Sequence, residues 1–102
     1  MSDFVRDVYL AFARVHILYH ADEGRIFGVG MMRELARHGY RLGPGTLYPL
    51  LHRLEADGLL VSEGEVVDGK SRKYYVITRK GRAALERLRP KLAELTREVM
   101  GQ

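Results

Sequence analysis

Residues 43–60 read GPGTLYPLLHRLEADGLL, and they combine an apolar helical face with an opposite face of polar and aromatic groups. The apolar face follows the i, i+3, i+4, i+7 spacing of a half-buried helix and consists of Leu47, Leu50, Leu51 and Leu54. At about 100° per residue, the opposite face displays Thr46, Tyr48, Pro49, His52 and Arg53. The pattern predicts a short helix from about Pro44 or Gly45 to Asp57, ended by Gly58.

Pro49 is the residue of this stretch that argues against a helix, because proline breaks helix interiors. The conflict disappears if Gly45 or Thr46 is the N-cap. Pro49 then lies in the first turn, where its missing N–H would have had no partner. The sequence therefore predicts a helix that contains Pro49 in its first turn.

A β-hairpin with a basic tip is predicted to follow this helix. Residues 59–67 and 72–78 are predicted strands, and Asp68-Gly69 between them favours the positive φ values of a tight hairpin turn. The tip carries Lys70, Ser71, Arg72 and Lys73. A displayed helix followed by a basic hairpin is the arrangement of a winged helix-turn-helix.

Three further helices complete the predicted fold. The apolar spacing predicts helices from residue 4 to about 21 and from residue 26 to about 38, the second ended by Gly39. Thr78 is a suitable N-cap for a last helix. We therefore predict an α+β, mostly α fold: a winged helix-turn-helix of three helices and a β-hairpin wing over residues 1–78, plus a C-terminal dimerisation helix over residues 79–102.

The first and last helices carry more apolar surface than one small domain can bury. The first helix has one stripe through Phe4, Phe12 and Tyr19, and a second on nearly the opposite side. The last helix has a coiled-coil-like seam, with a kink or short break expected near Arg89 because Pro90 follows. We expect a homodimer whose interface includes Leu10, Ile17, Leu85, Leu88, Leu92, Leu95 and Val99.

Bulk composition points to a single basic domain. The chain has 102 residues, a formal net charge of +4 and no cysteine, which excludes disulfides and thiolate metal sites. Residues 69–85 contain six basic side chains and no acidic one, a concentration that suits phosphate binding. A merely solvated surface strip is the alternative. The sequence contains no signal-peptide pattern and no membrane-spanning run, so we expect a cytoplasmic protein.

Double-stranded DNA is the expected partner. Arginine can donate two hydrogen bonds to guanine in the major groove, and Arg53 stands on the displayed face with Thr46, Tyr48, Pro49 and His52. Lys70, Ser71, Arg72 and Lys73 at the hairpin tip are predicted to neutralise phosphates or enter the minor groove. A charged edge that prevents sheet aggregation is compatible with that role.

Enzymatic and cofactor chemistry has no residues to support it. The sequence contains no nucleophile–base pair, no glycine-rich phosphate loop and no convincing carboxylate pair. His16 and His20 have the i, i+4 spacing of metal ligands, but no further ligand is evident beyond Asp22 and Glu23. We therefore expect no metal and no cofactor, and interpret the two histidines as surface or interface residues.

Two segments together resemble the PadR family of prokaryotic transcriptional regulators. The first is GTLYPLLHRLEADGLL at residues 45–60, and the second is RKYYVITRKG at residues 72–81. The resemblance extends over about residues 5–100. The chain is similar to the short branch of the family, which has a single helix after the wing.

The resemblance implies a homodimer formed by the first and last helices, which binds an operator near its own promoter or a neighbouring gene, usually as a repressor. Residues that match the motif of the DNA-reading helix are Thr46, Tyr48, Pro49 and Arg53. Lys70, Arg72 and Lys73 match the wing, and Tyr75 matches an aromatic of the second strand that we include among the expected DNA-binding residues. Some relatives bind flat aromatic ligands between subunits using tryptophan, which this chain lacks.

Two other hypotheses remain open from the sequence. One is a winged-helix module that binds proteins and not DNA; its binding would barely respond to salt, whereas phosphate binding weakens steeply. The other extends the regulator hypothesis with a small-molecule effector at the dimer interface, which would relieve operator binding by changing the spacing of the two displayed helices.

Overall fold

The computed structural model describes residues 3–101, which form four α-helices and a small antiparallel sheet. The helices are α1 (Asp3–Glu23), α2 (Gly28–Arg37), α3 (Pro44–Ala56) and α4 (Arg79–Met100), and the strands are β1 (Ile26–Phe27), β2 (Leu60–Val67) and β3 (Lys70–Ile77). The strand order in the sheet is β1-β3-β2. Three helices followed by a hairpin and a last helix confirm the predicted winged helix-turn-helix architecture.

The leucine face of α3 lies at the centre of the core. Leu47, Leu51 and Leu54 are buried, and Leu50 packs against them from a partly buried position. The other helices and the sheet close over this face with buried apolar side chains, among them Ile17, Leu18, Met31, Leu35, Leu60, Ile77 and Leu85. Burying such a side chain contributes about 1.5–3 kcal/mol, so the fixed inner face determines which face of α3 remains outside.

The hairpin turn at Asp68-Gly69 and the Thr78 cap of α4 have the geometry that the sequence predicts. Asp68 has φ 50° and Gly69 has φ 75°, as a tight hairpin turn with two left-handed residues requires. Thr78 caps α4 as predicted: its Oγ1 accepts a hydrogen bond from the Gly81 N–H at 3.0 Å. The same hydroxyl donates to the Gly58 carbonyl oxygen at 2.6 Å, so one side chain joins the end of α3 to the start of α4.

A short strand replaces the predicted start of α2. Residues 26–38 were expected to form a helix, but Ile26 and Phe27 are extended and pair antiparallel with Tyr75 and Tyr74 of β3. The free edge of β3 has backbone donors and acceptors that need partners, and this requirement outweighs the local helical pattern. The helix therefore begins at Gly28.

Helix α3 starts at Pro44, as predicted, but its N-cap differs from the prediction. Gly43 is the N-cap, and Pro44 occupies the first turn, where a fixed φ and a missing N–H are favourable. Pro49 consequently lies inside the helix, so the prediction of an N-cap at Gly45 or Thr46 is wrong. Pro49 cannot donate to the carbonyl of Gly45, and since both residues are exposed, water can take the place of that donor.

The last helix is continuous across its proline. It extends from Arg79 to Met100 with Pro90 inside, so there is no break near Arg89, and the alternative of a kink at this point stays a prediction. Pro90 and its neighbours on this part of α4 are exposed, which lets solvent satisfy the carbonyl of Glu86 that has lost its donor.

Two predicted interface residues belong instead to the chain's own core. Ile17 on α1 is 0% exposed and Leu85 on α4 is 5% exposed. Both side chains pack in the core of their own chain, so neither can contact another subunit. Leu10 is half-buried and lines a shallow groove with Tyr9 and Tyr40. The apolar side chains that stay exposed on these two helices include Phe4, Phe12, Tyr19, Leu88, Leu95 and Val99.

Candidate nucleic-acid interface

The outer face of α3 presents a polar strip to solvent. Pro49, His52 and Arg53 are exposed, and Thr46 is half-buried. Within residues 3–101, no carboxylate forms an ion pair with Arg53. Its guanidinium group is therefore available to an external acceptor.

Tyr48 is only partly displayed. Its side chain is half-buried and lies directly on Gly28, where an added Cβ would be 2.6 Å from the tyrosine Cε1 and in contact with its hydroxyl oxygen. The absence of a side chain at Gly28 therefore allows α2 and α3 to approach at this point. Tyr48 fixes the position of α3 as well as lining its outer surface.

The wing carries cations on both of its faces. Lys70, Ser71, Arg72 and Lys73 are all exposed, and successive residues of a strand point to opposite sides. The Arg72 guanidinium lies 4.4 Å from the centre of the Phe27 ring, a cation–π distance. The Lys73 ammonium lies 5.3 Å from the centre of the Tyr75 ring and 3.9 Å from Glu55 Oε1.

A groove of about 620 Å³ separates α3 from the wing. Its lining contains three cationic side chains and no acidic one: Phe27, Gly28, Val29, Arg33, Tyr48, His52, Ser71, Arg72, Lys73 and Tyr75. The structure thus brings Tyr48 and His52 of α3 together with Ser71, Arg72 and Lys73 of the wing. Of the other predicted residues, Thr46, Pro49, Arg53 and Lys70 do not line this groove. The structure adds Arg33 and Phe27, which sequence reasoning missed because both fell inside a pattern interpreted as a core helix.

Tyr75 is a correction to the predicted site. It is 1% exposed, because its strand position turns the ring into the core opposite Ser62. The ring therefore forms part of the groove floor and supports the wing, and it has almost no exposed surface with which to contact a nucleic acid.

Glu55 anchors the end of α3 to the wing. Its Oε2 accepts hydrogen bonds from the Ser62 hydroxyl at 2.5 Å and from the Ser62 backbone N–H at 3.0 Å. The hydroxyl donor is the main reason that the pKa of Glu55 is lowered, with the backbone N–H and Lys73 acting in the same direction. The carboxylate therefore stays ionised and holds helix and hairpin in one orientation.

Two of the three carboxylates of the hairpin, Glu63 and Glu65, are paired within the chain, whereas the third, Asp68, is exposed in the turn. Arg25 Nη1 lies 2.5 Å from Glu65 Oε2 and 3.6 Å from Glu63 Oε1, and its guanidinium lies 4.0 Å from the centre of the Tyr74 ring. The hydrogen bond to Glu65 is the largest cause of the raised pKa of Arg25. These acidic groups are consequently not presented as free negative charge beside the cations.

A family model described as the transcriptional regulator PadR-like family matches residues 17–87. The chain belongs to the PadR-like family of transcriptional regulators. It is therefore a regulator and not an enzyme, as its sequence predicted. Among residues 3–101, no helix is long and apolar enough to cross a bilayer.

Similar proteins support the assignment to the PadR-like family. Transcriptional regulator Rv3488 of Mycobacterium tuberculosis is 57% identical over 97 residues, which cover 95% of this chain and 91% of that protein. A PadR family transcriptional regulator from Eggerthella lenta is 32% identical, with a TM-score of 0.77 over 97% of this chain and 91% of its own. A PadR-like regulator from Bacillus cereus is 27% identical, with a TM-score of 0.82 over 98% and 95%.

Proposed function

We propose that this PadR-like regulator is a homodimeric repressor that binds operator DNA with α3 and the wing of each subunit. The groove between α3 and the wing carries the proposal, since Arg33, Arg72 and Lys73 line it without any acidic neighbour in the lining. Arg53 stands beside it on the exposed face of α3. In this arrangement α3 enters the major groove and the wing cations contact phosphates.

The proposed mode of action is occupation of promoter DNA. A dimer bound near its own or a neighbouring promoter excludes RNA polymerase from the same DNA, which produces repression. Such a role places the protein in the cytoplasm, where the operator is. Relief by a small ligand is part of the proposal, and the cavity of about 630 Å³ between α1, α2 and α4 is the candidate location because most of its lining is apolar.

Salt dependence distinguishes DNA binding from a protein-interaction role. Three wing cations in each of two subunits, Lys70, Arg72 and Lys73, would contact about six phosphates, so operator affinity should fall by roughly 10³-fold between about 50 and 200 mM salt. Fluorescence anisotropy with labelled DNA from the region upstream of the gene measures this slope. The proposal would be contradicted if the affinity for this DNA barely changed with salt, or if the protein did not bind this DNA at low salt.

The proposed dimer depends on the C-terminal half of α4, which carries exposed apolar side chains. Leu95 is 52% exposed and Val99 is 71% exposed, on a helix whose 22 residues extend about 33 Å. Exposed α1 side chains such as Phe12 lie beside the cavity that α4 also lines. A second copy that packs its own α1 and α4 here would remove this apolar surface from water.

Replacing both Leu95 and Val99 with glutamate is expected to convert the protein to a monomer of 11.7 kDa, because four carboxylates per dimer would have to be buried without partners. Light scattering coupled to size exclusion measures the mass. Arg97→Glu, an exposed position on the same helix but off the apolar seam, is the control and should remain dimeric. A wild-type mass of one chain at micromolar concentration would show that the dimer proposal is wrong.

A further inference from the structure

Three histidines from two helices converge where α1 meets the end of α2. His16 and His20 lie one turn apart on α1, and His38 follows the last residue of α2. The His38 ring centre lies 4.9 Å from that of His16 and 5.7 Å from that of His20. Each residue offers one ring nitrogen, and the three nitrogens lie within 4.8 Å of one another. The sequence showed only the His16–His20 pair, because His38 is brought in by the fold.

A carboxylate completes the cluster. Glu34 Oε1 lies 3.7 Å from His20 Nε2 and also 3.7 Å from His38 Nε2. These distances are too long for hydrogen bonds. Two ligands of one tetrahedral zinc ion, each about 2.0–2.1 Å from it, lie about 3.4 Å apart. The Glu34 oxygen therefore lies from each of these two imidazole nitrogens at almost the separation that a shared ion would require.

His20 has a polar atom that the protein leaves unpaired. Within residues 3–101, its Nε2 is buried and has no hydrogen-bond partner, which is costly for a polar atom removed from water. Its other nitrogen, Nδ1, lies 3.7 Å from Glu23 Oε1. This contact is also too long for a hydrogen bond, but a small movement of either side chain would let Nδ1 donate to Glu23, and a carboxylate on one ring nitrogen is the usual way to orient the other toward a metal. A metal ion would satisfy Nε2 and explain why it faces Glu34 and His38.

We propose that His16, His20, His38 and Glu34 bind one divalent transition-metal ion of the zinc class. Three imidazoles and a carboxylate suit Zn²⁺ and its neighbours in the first transition row, whereas Mg²⁺ and Ca²⁺ prefer oxygen ligands alone. His38 is exposed, so its ring is free to rotate and turn a nitrogen toward the other ligands. Metal binding at these residues does not depend on the DNA-binding role proposed above.

The surroundings of the Glu34 carboxylate fit the same role. Arg37 Nη1 lies 3.4 Å from Glu34 Oε2, so the second oxygen of the carboxylate has a cationic neighbour while Oε1 faces the histidines. All four proposed ligands line the cavity between α1, α2 and α4. A bound ion would therefore join α1 to α2 at the wall of that cavity.

Zinc binding tests the inference directly. Isothermal titration of the purified chain with ZnCl₂, without a polyhistidine tag, should give about one ion per chain, and MgCl₂ at the same concentration should give no heat of binding. The absence of zinc binding at micromolar concentration would overturn the proposal. Binding of several zinc ions per chain with no single tight step would also overturn it.

Variants locate the site. His38→Ala and Glu34→Gln should each weaken zinc binding by at least about 10-fold, with helix content unchanged by circular dichroism because neither side chain is part of the buried core. His52→Ala, an exposed histidine on α3, is the matched control and should bind zinc as the wild type does. Zinc would be shown to bind elsewhere if His38→Ala and His20→Ala both kept the wild-type affinity for zinc. The same would follow if His52→Ala lost as much zinc affinity as His38→Ala.

Discussion

Gly81→Ala is expected to destabilise the protein by roughly 3 kcal/mol and to lower its melting temperature by on the order of 10–20 °C. Gly81 is buried in the first turn of α4, and an added Cβ would lie on the Leu59 carbonyl oxygen and 2.8 Å from Ile77 Cγ1. The clash involves backbone, so rotation of a side chain cannot relieve it. Thermal unfolding followed by circular dichroism at a fixed protein concentration measures the change.

Gly45→Ala is the matched control for this substitution. Gly45 also lies in the first turn of a helix, but nothing surrounds the position that its Cβ would occupy. Alanine there should leave stability unchanged or raise it by about 0.5–1 kcal/mol, because glycine costs more conformational entropy in a helix. A Gly81→Ala protein that melts within a few degrees of the wild type would show that the contact between Gly81 and Leu59 is not as close as the structure has it.

Arg53→Ala is expected to reduce operator affinity by at least about 10-fold, since a base-reading arginine contributes roughly 1–3 kcal/mol and the proposed dimer carries two. The side chain is exposed and outside the core, so stability should be unchanged. Fluorescence anisotropy with operator DNA measures the loss. Binding to unrelated DNA should change little if Arg53 reads a base, whereas loss of a phosphate contact would weaken all sequences equally.

Arg87→Ala provides the charge-matched control. Arg87 is exposed on α4 and does not line the groove between α3 and the wing, so its removal should leave operator affinity within error of the wild type. Equal affinity of the Arg53→Ala protein and the wild type for the operator would remove α3 from the proposed interface. Retained affinity in Arg53→Lys would indicate a phosphate contact instead of a bidentate base contact.

Local signals in the sequence were sufficient wherever a feature depends on a few neighbouring residues. The leucine spacing of α3, the Asp68-Gly69 turn and the Thr78 cap were all predicted and are present. Each of them expresses a preference of the backbone or of one helical face, which the chain carries without help from distant residues.

Features that depend on distant contacts could not be predicted in the same way. Strand β1 exists because the edge of β3 needs a partner, and no pattern within residues 26–27 indicates this. Ile17 and Leu85 lie on apolar stripes that suit a dimer interface and a core equally well; only the packing of α1 against the sheet and α4 decides between them. His38 joins His16 and His20 only after α2 folds back along α1.

The pairing of Phe27 with Tyr74 has a mechanical consequence. The backbone of Phe27 pairs with β3, and its ring lies under the Arg72 guanidinium, so the start of α2 is fixed to the hairpin. Tyr48 packs on Gly28 and fixes α3 at the same place. Each subunit thus holds α3 and the hairpin, the parts proposed to contact DNA, as one rigid unit. In the proposed dimer, an effector would therefore act by changing the orientation of the two subunits relative to each other, and not the spacing of α3 and the hairpin within one subunit.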